Sequence, residues 1–252
     1  MDLNCSADGV DVQAYDLPSG HLSEKHMHDE AQLLFSVTGM MRVETDDGLW
    51  TLPPQRALWI PAKFNHEMYA QSDIKLRTVY VNANQMEDFF SSCKVLNVTK
   101  FLRELILRAV ELYKLVEPHE TTPYVSKLLL AEIRSSHVAP LLLKFPKDPR
   151  AKRVADALME NPRSQKGLDE WAKDTGASAR TLTRCFSKET GMTFQAWRRM
   201  ARLMSSLEFL AEGRSVTDVA NCCGYDSQSA FHVAFQSHFG TTPGRFFEVR
   251  EN

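Results

Sequence analysis

The sequence predicts an α+β, multidomain chain, and three observations carry that prediction. Strand signals are confined to the first third, helical periodicity fills the remainder, and two helix-turn-helix-like segments follow one another near the C-terminus. At 252 residues the chain also exceeds a comfortable single core, since domains usually run to roughly 100–200 residues.

Composition excludes several classes. No apolar run approaches the ~20 residues needed to cross a bilayer, so no membrane role is expected. The opening "MDLNCSADGVDVQ" has neither a basic start nor an apolar stretch, so residence in the cytoplasm is expected. The five cysteines, Cys5, Cys93, Cys185, Cys222 and Cys223, show no CxxC spacing, which argues for reduced thiols rather than a disulfide framework or zinc knot. The net charge of −2 hides an asymmetry: residues 147–252 hold 16 Lys and Arg against 13 Asp and Glu, a net of +3, which leaves −5 for residues 1–146. The C-terminal part is the basic one, the sign that contact with nucleic-acid phosphates requires.

Up to residue 82 the pattern is β. "MMRVETDDGLWTL" carries a turn signal at Asp47-Gly48 between alternating segments, and "KLRTVYV" alternates with β-branched and aromatic residues. From 84 to 139 helical signals replace them. "FLRELILRAVELY" puts Leu102, Leu105, Ile106, Ala109, Leu112 and Tyr113 on one stripe, which suits either packing on the strands or pairing between two chains. "APLLLKFPKDPR", with Pro140, Pro146 and Pro149, reads as an interdomain linker.

Beyond it, "LDEWAKDTGASARTLTRCF" and "VTDVANCCGYDSQSAFHVAF" each describe helix, tight turn, helix. Glycine (Gly176, Gly224) takes the left-handed conformation that stops the first helix, and serine (Ser178, Ser227) caps the N–H groups of the next. Ser215 with Asp218 adds a box-like cap. "FQAWRRMARLMSSLEFLAEG" is a connecting helix of about 19 residues, or about 28 Å, a span comparable to the ~34 Å between successive groove crossings on one duplex face. Phe231, Phe235 and Phe239 recur every four residues and are expected in the core, with Leu182 and Phe186 doing the same in the first unit. Gln228, Ser229, His232, Val233 and Gln236 then face outward, as do Arg180, Thr183 and Arg184. Arginine can donate twice to guanine, and glutamine can pair with adenine.

"ASARTLTRCFSKETGMTF" (177–194), "WRRMARL" (197–203) and "SVTDVANCCGYDSQSAFHVAFQSHFGTTPGRF" (215–246) together resemble the DNA-binding domain of AraC/XylS-family transcription regulators. The resemblance covers about two-fifths of the chain. It implies base reading by Arg180, Thr183 and Arg184 in the first unit and by Gln228, Ser229, His232 and Val233 in the second. The family commonly has basic residues where this chain has Val233 and Gln236, so the first unit is expected to discriminate more strongly. Arg198, Arg199, Arg202 and Arg245 are candidate phosphate contacts, with a solvated helix face as the competing role for at least half of them.

In the N-terminal part, Gly20-x5-His26-x-His28-x3-Gln32-x6-Gly39 resembles the first cupin motif, with Gln32 where the motif has glutamate. "QRALWIPAKFNHEMYA" resembles the second, keeping Pro61 and His66 but substituting Gln55, Lys63 and Ala70 for its glycines and asparagine. Period two along a strand would put His26, His28 and Gln32 on one face. A small β-barrel follows, with His26, His28, Gln32 and His66 as candidate ligands of a divalent transition metal (zinc, nickel, iron or copper), or as a barrel lining hydrogen-bonded internally or to a bound molecule. Trp50, Trp59, Phe35, Tyr69 and Tyr80 are candidates to line an apolar or aromatic pocket, with core packing as the competing role.

These resemblances imply a cupin-like effector-binding domain (1–82), a helical connector or dimerisation region (83–140) and a tandem helix-turn-helix domain (147–252). They imply a transcription regulator, not an enzyme, acting as a homodimer on double-stranded promoter DNA under a small-molecule or metal effector, and touching RNA polymerase if it activates. A metal-dependent cupin enzyme fused to a DNA-binding module is the alternative, disfavoured by the missing metal carboxylate at Gln32. A constitutive regulator whose barrel is only a dimer scaffold is the third.

Overall fold

A computed structural model describes residues 9–54, 56–82, 85, 91–115, 119–139 and 142–246. Cys5, Gln55 and Pro140, named above, lie outside these. The chain divides into two compact units, the second comprising Leu142–Glu248.

The first unit is built from short antiparallel strands: β1 (Val10–Leu17), β2 (Leu22–His26), β3 (Ala31–Ser36), β4 (Met41–Thr45), β5 (Gly48–Leu52), β6 (Arg56–Ile60), β7 (His66–Ala70), β8 (Ile74–Val81) and β9 (Lys94–Asn97). Helices α1 (Lys100–Tyr113) and α2 (Thr122–Ser135) follow, then β10 (Val138–Ala139). One sheet runs β1-β8-β3-β6-β9-β10, and a second contains β5-β4-β7-β2. This is the cupin-like two-sheet architecture. Two strands were not expected: β9 and β10 fall in the stretch read as wholly helical. They are four and two residues long, too short to show a period. The β4–β5 turn is Asp46-Asp47, since Thr45 pairs with Gly48, one residue earlier than the Asp47-Gly48 signal suggests.

Strand register assigns each face. Val10, Val12, Ala31, Leu33, Phe35, Ala57, Trp59, Val79 and Val81 share a core with Leu102, Leu105, Ile106, Ala109 and Val110 of α1 and with Leu129 and Ile133 of α2. The α1 stripe is therefore spent on the sheet and is not a free pairing surface. Tyr113 is only half-buried and shares a hydrogen bond of 3.0 Å with Ser126 Oγ. Thr99 caps α1 by accepting from Leu102 N.

The second unit is helical: α3 (Pro149–Glu160), α4 (Leu168–Thr175), α5 (Ala179–Cys185), a π-turn at Phe186–Thr190, α6 (Phe194–Ala211), α7 (Val216–Cys222) and α8 (Gln228–Phe239). Pro149 is the first residue of α3 rather than linker, with Asp148 as N-cap, because proline's missing N–H costs nothing there. Two aromatic clusters hold the unit together. Trp197 stacks edge-on with Phe145 and Phe186, and Phe235 with Phe231 and Phe246. Phe239 departs from the expected core role: it is half-buried at the end of α8, against Phe235 and Phe246. Among the described residues no helix is long and apolar enough to cross a membrane.

Candidate effector site and nucleic-acid interface

Three histidines meet where the two sheets approach. His26 ends β2 directly across from His66, which opens β7, and a register shift between Ser23 and His26 turns the strand there. His28 follows in the loop. The ring centroids lie 4.4 Å (His26–His66), 4.7 Å (His26–His28) and 5.3 Å (His28–His66) apart. Gln32 does not share their strand: the chain leaves β2 after His26, and Gln32 enters on β3 in the other sheet. The single-strand face expected from period two is thus replaced by convergence of the histidines from β2, its following loop and β7, with Gln32 opposite Tyr80 on the neighbouring strand.

The histidine chemistry suits a cation. His26 Nδ1 lies 2.6 Å from Glu24 O, and His66 Nδ1 lies 3.0 Å from Phe64 O. A carbonyl only accepts, so both Nδ1 atoms carry the proton and both Nε2 lone pairs are free. His28 Nε2 is buried without a hydrogen-bond partner, an orphan of the kind that calls for an ion or ligand. The potential donor atoms of the three all lie within 4.8 Å of one another. Burial, then the neighbouring His26 and His66, pushes His28 down to about 4. His66 is lowered too, by burial, against its hydrogen bond to Phe64. Both rings are therefore neutral near pH 7, the state a metal needs.

A stability consequence follows. Because the unfolded chain takes up protons near 6.5 that folded His28 and His66 refuse, their contribution is complete above that pH and is lost as pH falls below it, toward about 4 for His28. Thermal unfolding between pH 7.5 and 4.5 should show this decline, and His28→Asn should flatten it.

Of the candidate pocket aromatics, only Tyr80 meets the site, its ring 5.3 Å from His28. Phe35 and Trp59 have the opposite register parity and belong to the helix-facing core. Trp50 is buried with Nε1 donating to Thr45 Oγ1, and Tyr69 is exposed. Gln32 is 4% exposed. Its Nε2 donates to Thr78 Oγ1 at 3.0 Å, and its Oε1 has no partner.

Lys63 occupies a position where the cupin motif has glycine, and it keeps glycine's conformation, with φ 62°. A side chain there costs roughly 1–2 kcal/mol, and the exposed pair with Asp29 at 4.0 Å returns little. Lys63→Gly is expected to stabilise by about 0.5–1 kcal/mol after the added chain entropy, read as a raised Tm.

In the second unit both turns form as the caps dictate. Gly176 and Gly224 are left-handed, with φ 65° and 70°. A Cβ on Gly224 would lie 3.0 Å from Arg163 Cα, so glycine is required there for space as well as conformation. Ser178, Ser215 and Ser227 accept from Thr181 N, Asp218 N and Ala230 N. Arg180, Thr183 and Arg184 are exposed on α5, and Gln228, Ser229 and Val233 are exposed on α8, with His232 half-buried.

Side-chain hydrogen bonds of four residues refine this surface. Thr183 Oγ1 donates to Ala179 O, so its hydroxyl proton is committed. Gln228 Oε1 accepts from Thr217 Oγ1 at 3.0 Å, which engages one of the two lone pairs of its amide oxygen and ties the side chain to α7. Arg202 is removed from the phosphate candidates: its guanidinium donates to Pro162 O and Ser164 O and braces the loop before α4. Arg198 likewise donates to Lys166 O and Gln195 Oε1, while Arg199 is exposed. These roles were not legible in the sequence, because backbone acceptors leave no residue pattern.

A family model described as an AraC-like ligand binding domain matches residues 10–161, and one described as a helix-turn-helix domain matches residues 171–248. The chain is 29% identical over 224 residues to the HTH-type transcriptional regulator NimR of Escherichia coli (strain K12), covering 89% of this chain and 82% of that protein. It is 40% identical over 102 residues to the HTH-type transcriptional regulator RipA of Corynebacterium glutamicum, 40% of this chain and 31% of that one. Among solved structures, unsaturated fatty acid bound ToxT from Vibrio cholerae strain SCE256 aligns over 95% of each chain, at a TM-score of 0.41 and 11% identity. With the ligand-binding model spanning more than half of its length, the chain belongs to the AraC family of transcription regulators, which join a cupin-like ligand-binding domain to a helix-turn-helix DNA-binding domain.

Proposed function

We propose that this regulator reads promoter DNA chiefly through α5, with α8 as a weaker second reader, and that an effector held in the barrel adjusts its affinity. The observation that carries the reading is the pair of exposed arginines, Arg180 and Arg184, one turn apart on a capped helix, neither in an ion pair among the described residues. Arginine in that setting can reach guanine O6 and N7 in the major groove. Two such units separated by the 18-residue α6, about 27 Å long, suit neighbouring groove segments.

A homodimer is part of the proposal, because four units on two half-sites supply affinity that one weakly basic second reader lacks. Activation through RNA polymerase is the behaviour the family resemblance implies. The effector acts by favouring one of two states with different DNA affinity, and DNA must then change effector affinity by the same factor. Fragments of the source genome recovered with the full chain are expected to share a motif repeated at one helical turn. Recovery of fragments with no common motif would contradict the reading.

The barrel's histidines support a second part of the proposal, a divalent transition metal held through Nε2 of His26, His28 and His66, while Gln32, the fourth candidate, keeps its Oε1 for the effector. A bound metal would supply a Lewis-acidic point that anchors an effector heteroatom. The missing carboxylate at Gln32 argues against redox turnover, so the site is read as sensory and the protein as no enzyme. Metal analysis of the purified chain should give close to one zinc, nickel or iron per chain, lost in His66→Ala. Equal metal in wild type and variant would overturn this part.

A further inference from the structure

The inner face of the larger sheet is chemically lopsided. Register sets Asp11 opposite Tyr80 and Tyr80 opposite Gln32, so all three share a face, with Gln13 and Thr78 one pair further on. That face is opposite the one covered by α1 and α2, and Tyr80 touches His28 there. Along β1 the side chains form a chain of bonds: Tyr15 OH donates to Gln13 Oε1, and Gln13 Nε2 donates to Asp11 Oδ2 at 2.7 Å. The Gln13 amide is thereby consumed in orienting Asp11. The other oxygen of this half-buried carboxylate, Oδ1, makes no hydrogen bond, and Asp11 forms no ion pair, among the described residues. Two strands away, Gln32 is 4% exposed and its Oε1 lacks a donor. Leu34, Leu58, Ile60 and Leu76 are buried on the same face, with Ser36 and Arg56 at its far end.

Asp11 and Gln32 therefore offer a negative charge with no counter-charge beside it and a buried acceptor with no donor. A half-buried carboxylate without a counter-charge is costly and becomes favourable when a cation arrives. Adjacent strands lie ~4.8 Å apart, so Asp11 and Gln32 straddle Tyr80 across a span of roughly 10 Å, and an occupant reaching both must cross the phenol ring, a face that attracts cations.

We propose that the effector is an organic amine: a protonated nitrogen against Asp11, an apolar body lying across Tyr80, and an N–H donor to Gln32 Oε1. The inference rests on the barrel being the effector-binding part, and it names the class of compound that part selects. The same charge disfavours an anionic effector.

Three probes of matched shape test it on the full chain: phenethylamine, 2-phenylethanol and phenylacetate, titrated by calorimetry and by thermal shift. Phenethylamine should bind saturably and raise Tm, 2-phenylethanol should bind about tenfold more weakly, and phenylacetate should not bind. Asp11→Asn should bring phenethylamine down to the level of the alcohol. A fourth probe, 4-(2-aminoethyl)aniline, adds an aryl N–H donor: Gln32→Leu, which keeps the side-chain bulk, should weaken it several-fold while leaving phenethylamine unchanged, and serves where Asp11→Asn fails to fold. The inference is overturned if phenylacetate binds as well as the amine, if Asp11→Asn folds and leaves amine binding unchanged, or if none of the three binds below about 10 mM. Promoter binding without any probe is measured in parallel. A chain that still selects its promoter yet ignores amines refutes the inference alone, whereas loss of promoter selection strikes the regulatory reading itself.

Discussion

Alanine at Arg180 or Arg184 is expected to weaken binding of the full chain to its promoter site by about 1–3 kcal/mol each, close to 5- to 150-fold. Two bidentate arginine contacts to guanine would account for that loss, and discrimination against substituted bases at those positions should relax with it. Gln228→Ala is expected to cost much less. Its Oε1 already accepts from Thr217, so turning the amide to a base in the bidentate geometry competes with a bond within the domain. Val233, 69% exposed, brings no charge to the same helix. Electrophoretic or fluorescence titrations on one duplex, with each variant at fixed salt, decide the matter. Equal losses at Arg184 and Gln228 would mean that both units read the sequence comparably.

Trp197→Ala is expected to destabilise the second unit by about 3–5 kcal/mol, the range for deleting a buried aromatic side chain. Trp197 is fully buried, stacks edge-on with Phe145 and Phe186, and donates from Nε1 to Lys144 O at 2.7 Å. The substitution leaves a cavity and strips that carbonyl of its donor. α6 carries this tryptophan and links the two helix-turn-helix units, so DNA binding and the unfolding transition of this unit should fail together. Denaturant unfolding followed by far-UV circular dichroism checks the magnitude. A loss under about 1 kcal/mol would show that the cluster is not what holds α6 in place.

The parts of the fold that were legible in the sequence are those governed by local chemistry. Gly176 and Gly224 with Ser178, Ser215 and Ser227 announce their turns and caps because left-handed backbone and N-terminal N–H groups admit few residue types. The α1 stripe was equally plain, although periodicity says that a face is buried and not against what; the core shared with Leu33 and Trp59 settled it. β9 and β10 escaped because two to four residues carry no period.

The candidate site was half legible. The cupin-like spacing drew attention to His26, His28 and His66, which the structure brings together. It misled on Gln32, whose position depends on a change of sheet rather than on strand alternation. The row Asp11, Gln13, Tyr15 was missed altogether. In "VDVQAY" the polar alternation looks like a solvated outer face, yet here the apolar side is covered by helices and the polar side lines the barrel. A cue was present in the length of the helical region after the barrel, since those helices need a sheet face to cover.

The central claim is that this chain selects a duplex sequence through the first helix-turn-helix unit. The most direct measurement is the affinity of the full chain, at about 0.15 M salt, for a promoter fragment recovered from its own genome against a shuffled duplex of equal length and composition. The account predicts a preference of about 10³-fold or more, most of it lost in the Arg180→Ala, Arg184→Ala double variant while the residual salt-dependent binding persists. Equal affinity for the two duplexes, or a preference that survives in the double variant, would contradict it.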